Sequence, residues 1–279
     1  MTKRLDRRWT TTRFEVTSAL VQEDPLRSAF VEMLFALAVS QVAIYAADLV
    51  TVSDSWFQRA PAVGHLVLGL MVIAASWLGW RQSVSQGMKQ PVHYIFSLPF
   101  VGLMLDVLLV VFYFILVRSV ELKQMNDRTI LATPSASPES LWLASIFVVY
   151  ALWDIIADVL VSGSIPPGPR PERALKTILT LVVSAGASIT CAVLAYFVLR
   201  TAKNTTGVAG VLLLDGALLS LVLLFRMLKI WEHPVAKWLR VSDCNGFRKP
   251  RKAQGNEPTW AVALTVLYGL CVGIARIAF

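Results

Sequence analysis

The stretch YALWDIIADVLV, residues 150–161, lies inside a run of about 20 mostly apolar residues, long enough to cross a bilayer as a helix. Asp154 and Asp158 occur in it one helical turn apart, so they share one face of such a helix. A carboxylate at bilayer depth costs about 2.5–3.5 kcal/mol on insertion scales. Such residues normally face a bundle interior or a water-filled cavity. The stretch therefore predicts a membrane-spanning helix with one polar face.

The composition of the whole chain is that of a membrane protein. Of the 279 residues, 56% are hydrophobic and 16% are charged, whereas soluble domains have roughly 25% charged residues. The mean hydropathy is +0.62. Apolar segments lie at about 30–50, 64–80, 95–117, 141–161, 177–199, 208–230 and 260–278. We therefore expect an all-α polytopic membrane protein with about seven transmembrane helices.

Lysine and arginine are distributed unevenly between the two sides that these segments define. The tail 1–28 and the loop 231–258 are rich in both residues, and the loops on the opposite side have fewer. Cytoplasmic loops carry an excess of Lys and Arg, so we expect the N-terminus in the cytoplasm and the C-terminus outside. A prokaryotic inner membrane is the default assignment from this bias. The basic stretch 247–258 is interpreted as a lipid-headgroup anchor rather than a nucleic-acid site, because no aromatic platform accompanies it.

An internal similarity relates the two halves of the chain. GLMLDVLLVVFYFILVRSVE (102–121) resembles GVLLLDGALLSLVLLFRMLKIWE (210–232), and AIYAADLV (43–50) resembles DIIADVLV (154–161). The alignments pair Asp106 with Asp215 and Asp48 with Asp158, at nearly equal offsets. Two independent pairs with one offset are what a duplicated unit predicts.

A duplicated unit of three spans must enter the membrane from opposite faces in its two copies. The prediction is therefore a 3+3 inverted-topology repeat plus one extra helix, an arrangement found in many transporters. The corresponding parts of the chain are the tail 1–28, a first half 29–161 that runs into the first helix of the second half, the rest of that half 162–230, the basic loop 231–258 and the final helix 259–279.

Polar residues form a stripe on each of two related helices. Gln41, Tyr45 and Asp48 share one face of the first segment, and Tyr150, Asp154 and Asp158 share one face of the fourth. The candidate ion or proton pathway consists of Asp154, Asp158, Asp106, Asp48, Asp215, Tyr150, Gln41 and Tyr45. The structural alternatives are interfacial positions near segment ends, and buried aspartates that join helices while protonated or while paired with Arg226.

Other ionisable residues are assigned to the membrane interfaces. Arg226 and Lys229, at the end of the sixth segment, are expected to extend to the lipid headgroups. His65, His93 and His233 are far apart in sequence and near segment ends, so they are interpreted as interfacial rather than as metal ligands. The sequence contains no CxxC spacing that would indicate a metal site, and we expect no cofactor.

Two classes of function remain open. The first is a cation or proton channel, or a proton-coupled transporter, with an acidic path between the repeats. The second is a non-transporting membrane module, such as a sensor, assembly factor or membrane-perturbing effector that acts through a partner. An enzyme is not expected, because no catalytic cluster is found and the loops are short. The expected partners are the lipid bilayer and small cations or protons, with homo-oligomerisation left open and no nucleic acid.

Overall fold

The computed structural model describes residues 25–85, 97–120, 122–125, 128–162, 170–205, 207–238 and 257–278. Seven helices account for most of these residues, and each is long and apolar enough to cross a membrane. They are α1 (Pro25–Thr51), α2 (Trp56–Ser85), α3 (Leu98–Arg118), α4 (Ser137–Ser162), α5 (Arg170–Ala202), α6 (Val208–Trp238) and α7 (Glu257–Ala278). The predicted all-α polytopic architecture is confirmed. The predicted basic regions fall largely on residues 1–24 and 239–256, outside the described residues.

Most of the helices extend beyond the apolar segments that predict them. The second segment was predicted to begin at residue 64, but α2 begins at Trp56. Helices continue past the apolar window because backbone hydrogen bonding inside the helix does not depend on side-chain polarity. The N-terminus of α3 is capped by Ser97, whose hydroxyl accepts a hydrogen bond from the Phe100 amide at 3.3 Å. The early start of α2 places His65 in the third turn of that helix.

A short β-hairpin connects α3 and α4. Its strands are β1 (Leu122–Met125) and β2 (Arg128–Leu131), paired antiparallel with Leu122 opposite Leu131 and Met125 opposite Arg128. Apolar segments do not predict this hairpin, because each strand is only four residues long. The sequence signal is the pair Asn126-Asp127 between the strands, since these residue types favour tight turns.

The helices pack into one bundle with α6 near its centre. α6 contacts α2, α5 and α7, while α4 contacts α3 and α5, and α1 contacts α2 and α3. The largest fully buried side chains include Tyr113, Phe147, Leu143, Leu116 and Leu218. The spans of α1 and α7 are the least buried, and their exposed residues are mostly apolar, which suits contact with lipid.

The helix contacts also bear on the internal repeat. The main contacts between the two halves join α2 to α6 and α3 to α4. If an exact two-fold axis related the two halves, α5 would also contact α3, and α1 would also contact α6. Neither is among the main contacts of the described residues. The duplication therefore stays a prediction from sequence.

Candidate functional site

A buried ion pair joins α4 to α6. Asp154 Oδ2 lies 2.7 Å from Lys229 Nζ, and the two side chains are only 7% and 8% exposed. Ser188 on α5 donates a hydrogen bond to the same carboxylate oxygen at 2.6 Å. Lys229 also donates to the backbone carbonyl of Ser184 on α5, at 2.7 Å. Two charges taken out of water are thus compensated by each other and by hydrogen bonds from a third helix. We call Asp154 and Lys229 the inner pair.

The position of Lys229 corrects the expectation that its side chain extends to the headgroups. Side chains of an α-helix lean toward the helix N-terminus. Lys229 lies in the C-terminal part of α6, so this lean directs its ammonium group back into the bundle rather than out of it. Asp154 is bound to Lys229, and the pairing of a buried aspartate with Arg226 stays a prediction.

A chain of hydroxyl groups lies next to the inner pair. Tyr150, one turn before Asp154 on α4, donates to Ser76 Oγ on α2 at 2.6 Å. The hydroxyl of Tyr113 on α3 lies 3.0 Å from that of Tyr150. Because the Tyr150 hydrogen is directed to Ser76, Tyr113 donates to Tyr150, and the three hydroxyls form a directional chain. Such chains can relay a proton when their ends meet a donor and an acceptor.

The inner pair and the hydroxyl chain share a cavity, which we call the polar cavity. Its volume is about 50 Å³, which is enough for several water molecules. Its charged residues are two carboxylates and two basic groups, namely Asp106, Asp154, Arg226 and Lys229. Aromatic and hydroxyl side chains complete the lining, among them Phe35, Ser76, Trp80, Tyr113, Tyr150 and Trp153.

Arg226 reaches the polar cavity across a glycine of α2. A Cβ built on Gly79 would lie 2.7 Å from Arg226 Nη1, so only glycine leaves room for the guanidinium in this position. The other terminal nitrogen, Nη2, donates to Gln82 Oε1 at 3.4 Å. Arg226 is therefore partly buried against α2, contrary to the expected extension to the headgroups.

The structure brings some of the predicted pathway residues together and separates others. Asp106, Tyr150 and Asp154 line the polar cavity. Asp215 is buried elsewhere on α6, with Oδ2 3.1 Å from the position of a Cβ on Gly64. The predicted α1 stripe, Gln41, Tyr45 and Asp48, is partly exposed and is not among the residues that line the cavity. Asp158 belongs to α4, but its side chain lies outside the described residues.

A second buried ionisable pair, the outer pair, consists of His65 on α2 and Glu139 on α4. His65 Nδ1 contacts Glu139 Oε1, and neither side chain is more than 1% exposed. The interfacial interpretation of His65 is therefore wrong, because α2 begins at Trp56 and places His65 in its third turn. His93 lies outside the described residues, as does the side chain of His233.

Sequence reasoning missed Lys229, Ser188 and Glu139 as members of buried polar clusters. Lys229 and Asp154 are separated by 75 positions, so no local pattern connects them. Glu139 could have been found, because Glu139, Leu143, Ile146, Tyr150 and Asp154 are spaced by three or four residues and so share one face of α4.

Comparison with known proteins identifies no relative of this chain. The chain matches no protein-family model, no curated protein and no solved structure.

Proposed function

We propose that the chain is a proton-conducting channel or a proton-coupled transporter, with Asp154 and Lys229 as its proton-exchanging centre. The observation that carries this proposal is the inner pair, buried among membrane-spanning helices at the wall of a polar cavity. Ionisable residues inside a membrane are costly, and they commonly mark proton relays and ion pathways.

The charges of the cavity favour a proton over a metal cation as the species that moves. A path for bare cations is normally lined by acidic side chains or carbonyl groups. The polar cavity instead combines Asp106 and Asp154 with Arg226 and Lys229. The two positive charges in the same cavity oppose entry of a further cation, whereas a proton can bind to Asp154 and release Lys229.

Proton exchange at the inner pair would change helix packing. Transfer of a proton from Lys229 Nζ to Asp154 Oδ2 converts two charged groups into two neutral ones without changing their proton count. Binding of an additional proton to Asp154 would leave Lys229 charged and without its counter-ion. The contacts of Asp154 with α5 and α6 would then weaken together, because Ser188 and Lys229 bind the same oxygen. Protonation is thereby coupled to the arrangement of α4, α5 and α6.

The proposed orientation places the polar cavity in the cytoplasmic half of the membrane. The excess of basic residues in the tail and in the loop after α6 supports a cytoplasmic N-terminus and a prokaryotic inner membrane. The cavity is lined by the C-terminal parts of α2 and α6, which end on that same side.

A second candidate function, a non-transporting module, is favoured by one observation. Asp154 joins α4, α5 and α6 through two side-chain contacts, as a residue that only fixes a helix arrangement would do. In this case the inner pair would fix the arrangement of these helices, whose outer surface a partner would bind, and would not exchange protons.

Proton flux in proteoliposomes separates the two functions. The lumenal pH is followed with an impermeant dye under an imposed gradient, for the wild type, Asp154→Asn and Asp54→Asn. Asp54 lies between α1 and α2, and its backbone carbonyl accepts a hydrogen bond from Arg59, so its substitution is a chemically matched control. We expect Asp154→Asn to reduce the flux to that of empty vesicles and Asp54→Asn to leave it unchanged. Absence of flux from correctly inserted wild-type protein, under every gradient, would favour the module.

A further inference from the structure

The outer pair joins three helices in the half of the bundle opposite to the polar cavity. His65 on α2 contacts Glu139 on α4 through Nδ1. The other ring nitrogen, Nε2, lies 2.8 Å from the backbone carbonyl oxygen of Leu116 on α3. Both side chains are enclosed by the bundle, so their hydrogen bonds must be satisfied within the protein.

The contact with Leu116 determines which ring nitrogen carries a hydrogen. A carbonyl oxygen can only accept, so Nε2 must donate to it. Nδ1 then meets Glu139 in one of two ways: as an imidazolium N–H beside a carboxylate, or as an acceptor of the hydrogen of a protonated carboxyl group. Both arrangements hold one proton between the same nitrogen and oxygen. Without that proton, the Nδ1 lone pair would face a negatively charged oxygen, and the contact would become repulsive.

The other groups around the outer pair come from α3 and α6. The hydroxyl of Ser119 on α3 lies 3.5 Å from Nε2 and donates to the Leu116 carbonyl at 2.7 Å. From α6, the Asp215 carboxylate packs against Gly64, the residue that precedes His65. The site therefore combines one imidazole with a directly bound carboxylate and a second carboxylate nearby.

The outer pair and the polar cavity lie on the same faces of α2 and α4. Glu139 and Tyr150 are eleven positions apart on one face of α4, and so are His65 and Ser76 on α2, a separation of about 16 Å along each helix. A small cavity of about 10 Å³ occupies part of the interval and is lined by Ser76, Tyr150, Arg226 and apolar residues that include Leu143. Polar groups thus stand at both ends of an apolar interval.

We infer that the outer pair is a second proton-binding site, in which His65 Nδ1 and Glu139 Oε1 share one proton. Loss of this proton leaves a neutral imidazole, with its hydrogen on Nε2, and a carboxylate. Repulsion between Nδ1 and Oε1 then separates α2 from α4 at this end of the bundle. Its role as the far end of the pathway that contains the inner pair rests on the proposed function. Its role as a proton-binding site does not.

Nitrogen NMR of the full chain in lipid nanodiscs tests the shared proton directly. The protein is labelled with ¹⁵N-histidine, and the His65 signals are assigned by their loss in His65→Gln. We expect Nε2 to carry a hydrogen and Nδ1 to give the signal of a nitrogen that shares a proton. In Glu139→Gln the carboxamide N–H replaces that proton, and Nδ1 becomes a simple acceptor. Ser140→Ala is the control, because this buried hydroxyl donates to the backbone carbonyl of Ala136, the residue before α4.

Two results would overturn the inference. A wild-type Nδ1 signal identical to that of Glu139→Gln, together with a Glu139 carboxyl carbon at the ¹³C shift of an ionised carboxylate, would show that no proton is held between them, and a hydrogen-free Nε2 would contradict the assigned hydrogen bond. Proton flux tests the place of the outer pair in the pathway: His65→Gln and Glu139→Gln should both lower it, and wild-type rates in both would remove the pair from the pathway. If the wild type carries no flux but Nδ1 shares a proton, the proposed function fails and the binding site stands.

Discussion

Lys229 Nζ and Asp154 Oδ2 lie 2.7 Å apart between α6 and α4, in side chains less than one tenth exposed. Their burial is tolerated because the two charges compensate each other and because Ser188 and the Ser184 carbonyl provide further hydrogen bonds. The arrangement has consequences for stability that can be separated from its consequences for proton movement.

Removing one member of the inner pair should destabilise the protein far more than removing both. Lys229→Met leaves the Asp154 charge buried without its counter-ion, which costs about 3–5 kcal/mol in the free energy of unfolding. Asp154→Asn/Lys229→Met removes both charges and should recover most of this loss. The free energy of unfolding of each variant is measured by thermal or denaturant unfolding in one detergent, which completes a double-mutant cycle. A loss in the double variant equal to the sum of the losses in Lys229→Met and Asp154→Asn would mean that the two side chains are not energetically coupled.

Tyr150→Phe should interrupt the hydroxyl chain without disturbing the helices. The substitution removes the donor to Ser76 and the acceptor for Tyr113, at a stability cost of about 1–2 kcal/mol. We expect proton flux in proteoliposomes to fall while the elution profile in detergent stays that of the wild type. The matched control is Tyr268→Phe, which loses one hydrogen bond to the Leu194 carbonyl outside the polar cavity. Equal flux in the two variants would exclude the hydroxyl chain from the pathway.

Gly79→Ala should displace the guanidinium of Arg226 from α2. The added methyl group would lie 2.7 Å from Nη1, and the flexible arginine side chain can move away at little cost to the fold. Gly102→Ala is the comparison, because a Cβ there meets no atom within 4 Å. We expect wild-type stability or slightly more in Gly102→Ala, since alanine favours helix by about 1 kcal/mol over glycine. We expect proton flux to change only in Gly79→Ala, at comparable stability of the two variants. Unchanged flux in both would show that proton flux does not require this position of Arg226.

The orientation can be tested with the natural cysteines. Cys191 and Cys271 are buried in the bundle, whereas Cys244 belongs to the basic loop that is expected in the cytoplasm. A membrane-impermeant maleimide should therefore label Cys244 in inverted membrane vesicles and not in intact cells. Cys244→Ser provides the background. Labelling in intact cells would reverse the proposed orientation and place the polar cavity in the external half.

The sequence predicts the seven helices well because an uninterrupted apolar run leaves the backbone no other way to satisfy its hydrogen bonds in lipid. It predicts part of the candidate site for a related reason: Asp106, Tyr150 and Asp154 lie too deep in their segments to reach water. Partners across helices are not predictable in this way. The pairing of Asp154 with Lys229 depends on the rotation of α4 and α6 about their own axes. The packing of the whole bundle determines that rotation.

Helix ends account for the remaining errors. Lys229 and His65 were both assigned to interfaces because they stand at the ends of apolar segments. α2 begins before its apolar segment, which places His65 inside the bundle, and the lean of helical side chains toward the N-terminus directs Lys229 into the bundle.

The most direct test of the central claim is proton flux through Asp154→Asn/Lys229→Met, a variant that keeps the shape of the inner pair and removes its charges. Its thermal stability and monodispersity are first shown to match those of the wild type. If Asp154 and Lys229 exchange protons, flux through this folded variant falls to that of empty vesicles. Wild-type flux in the same variant would contradict the account and leave the inner pair with a role in holding α4, α5 and α6 together.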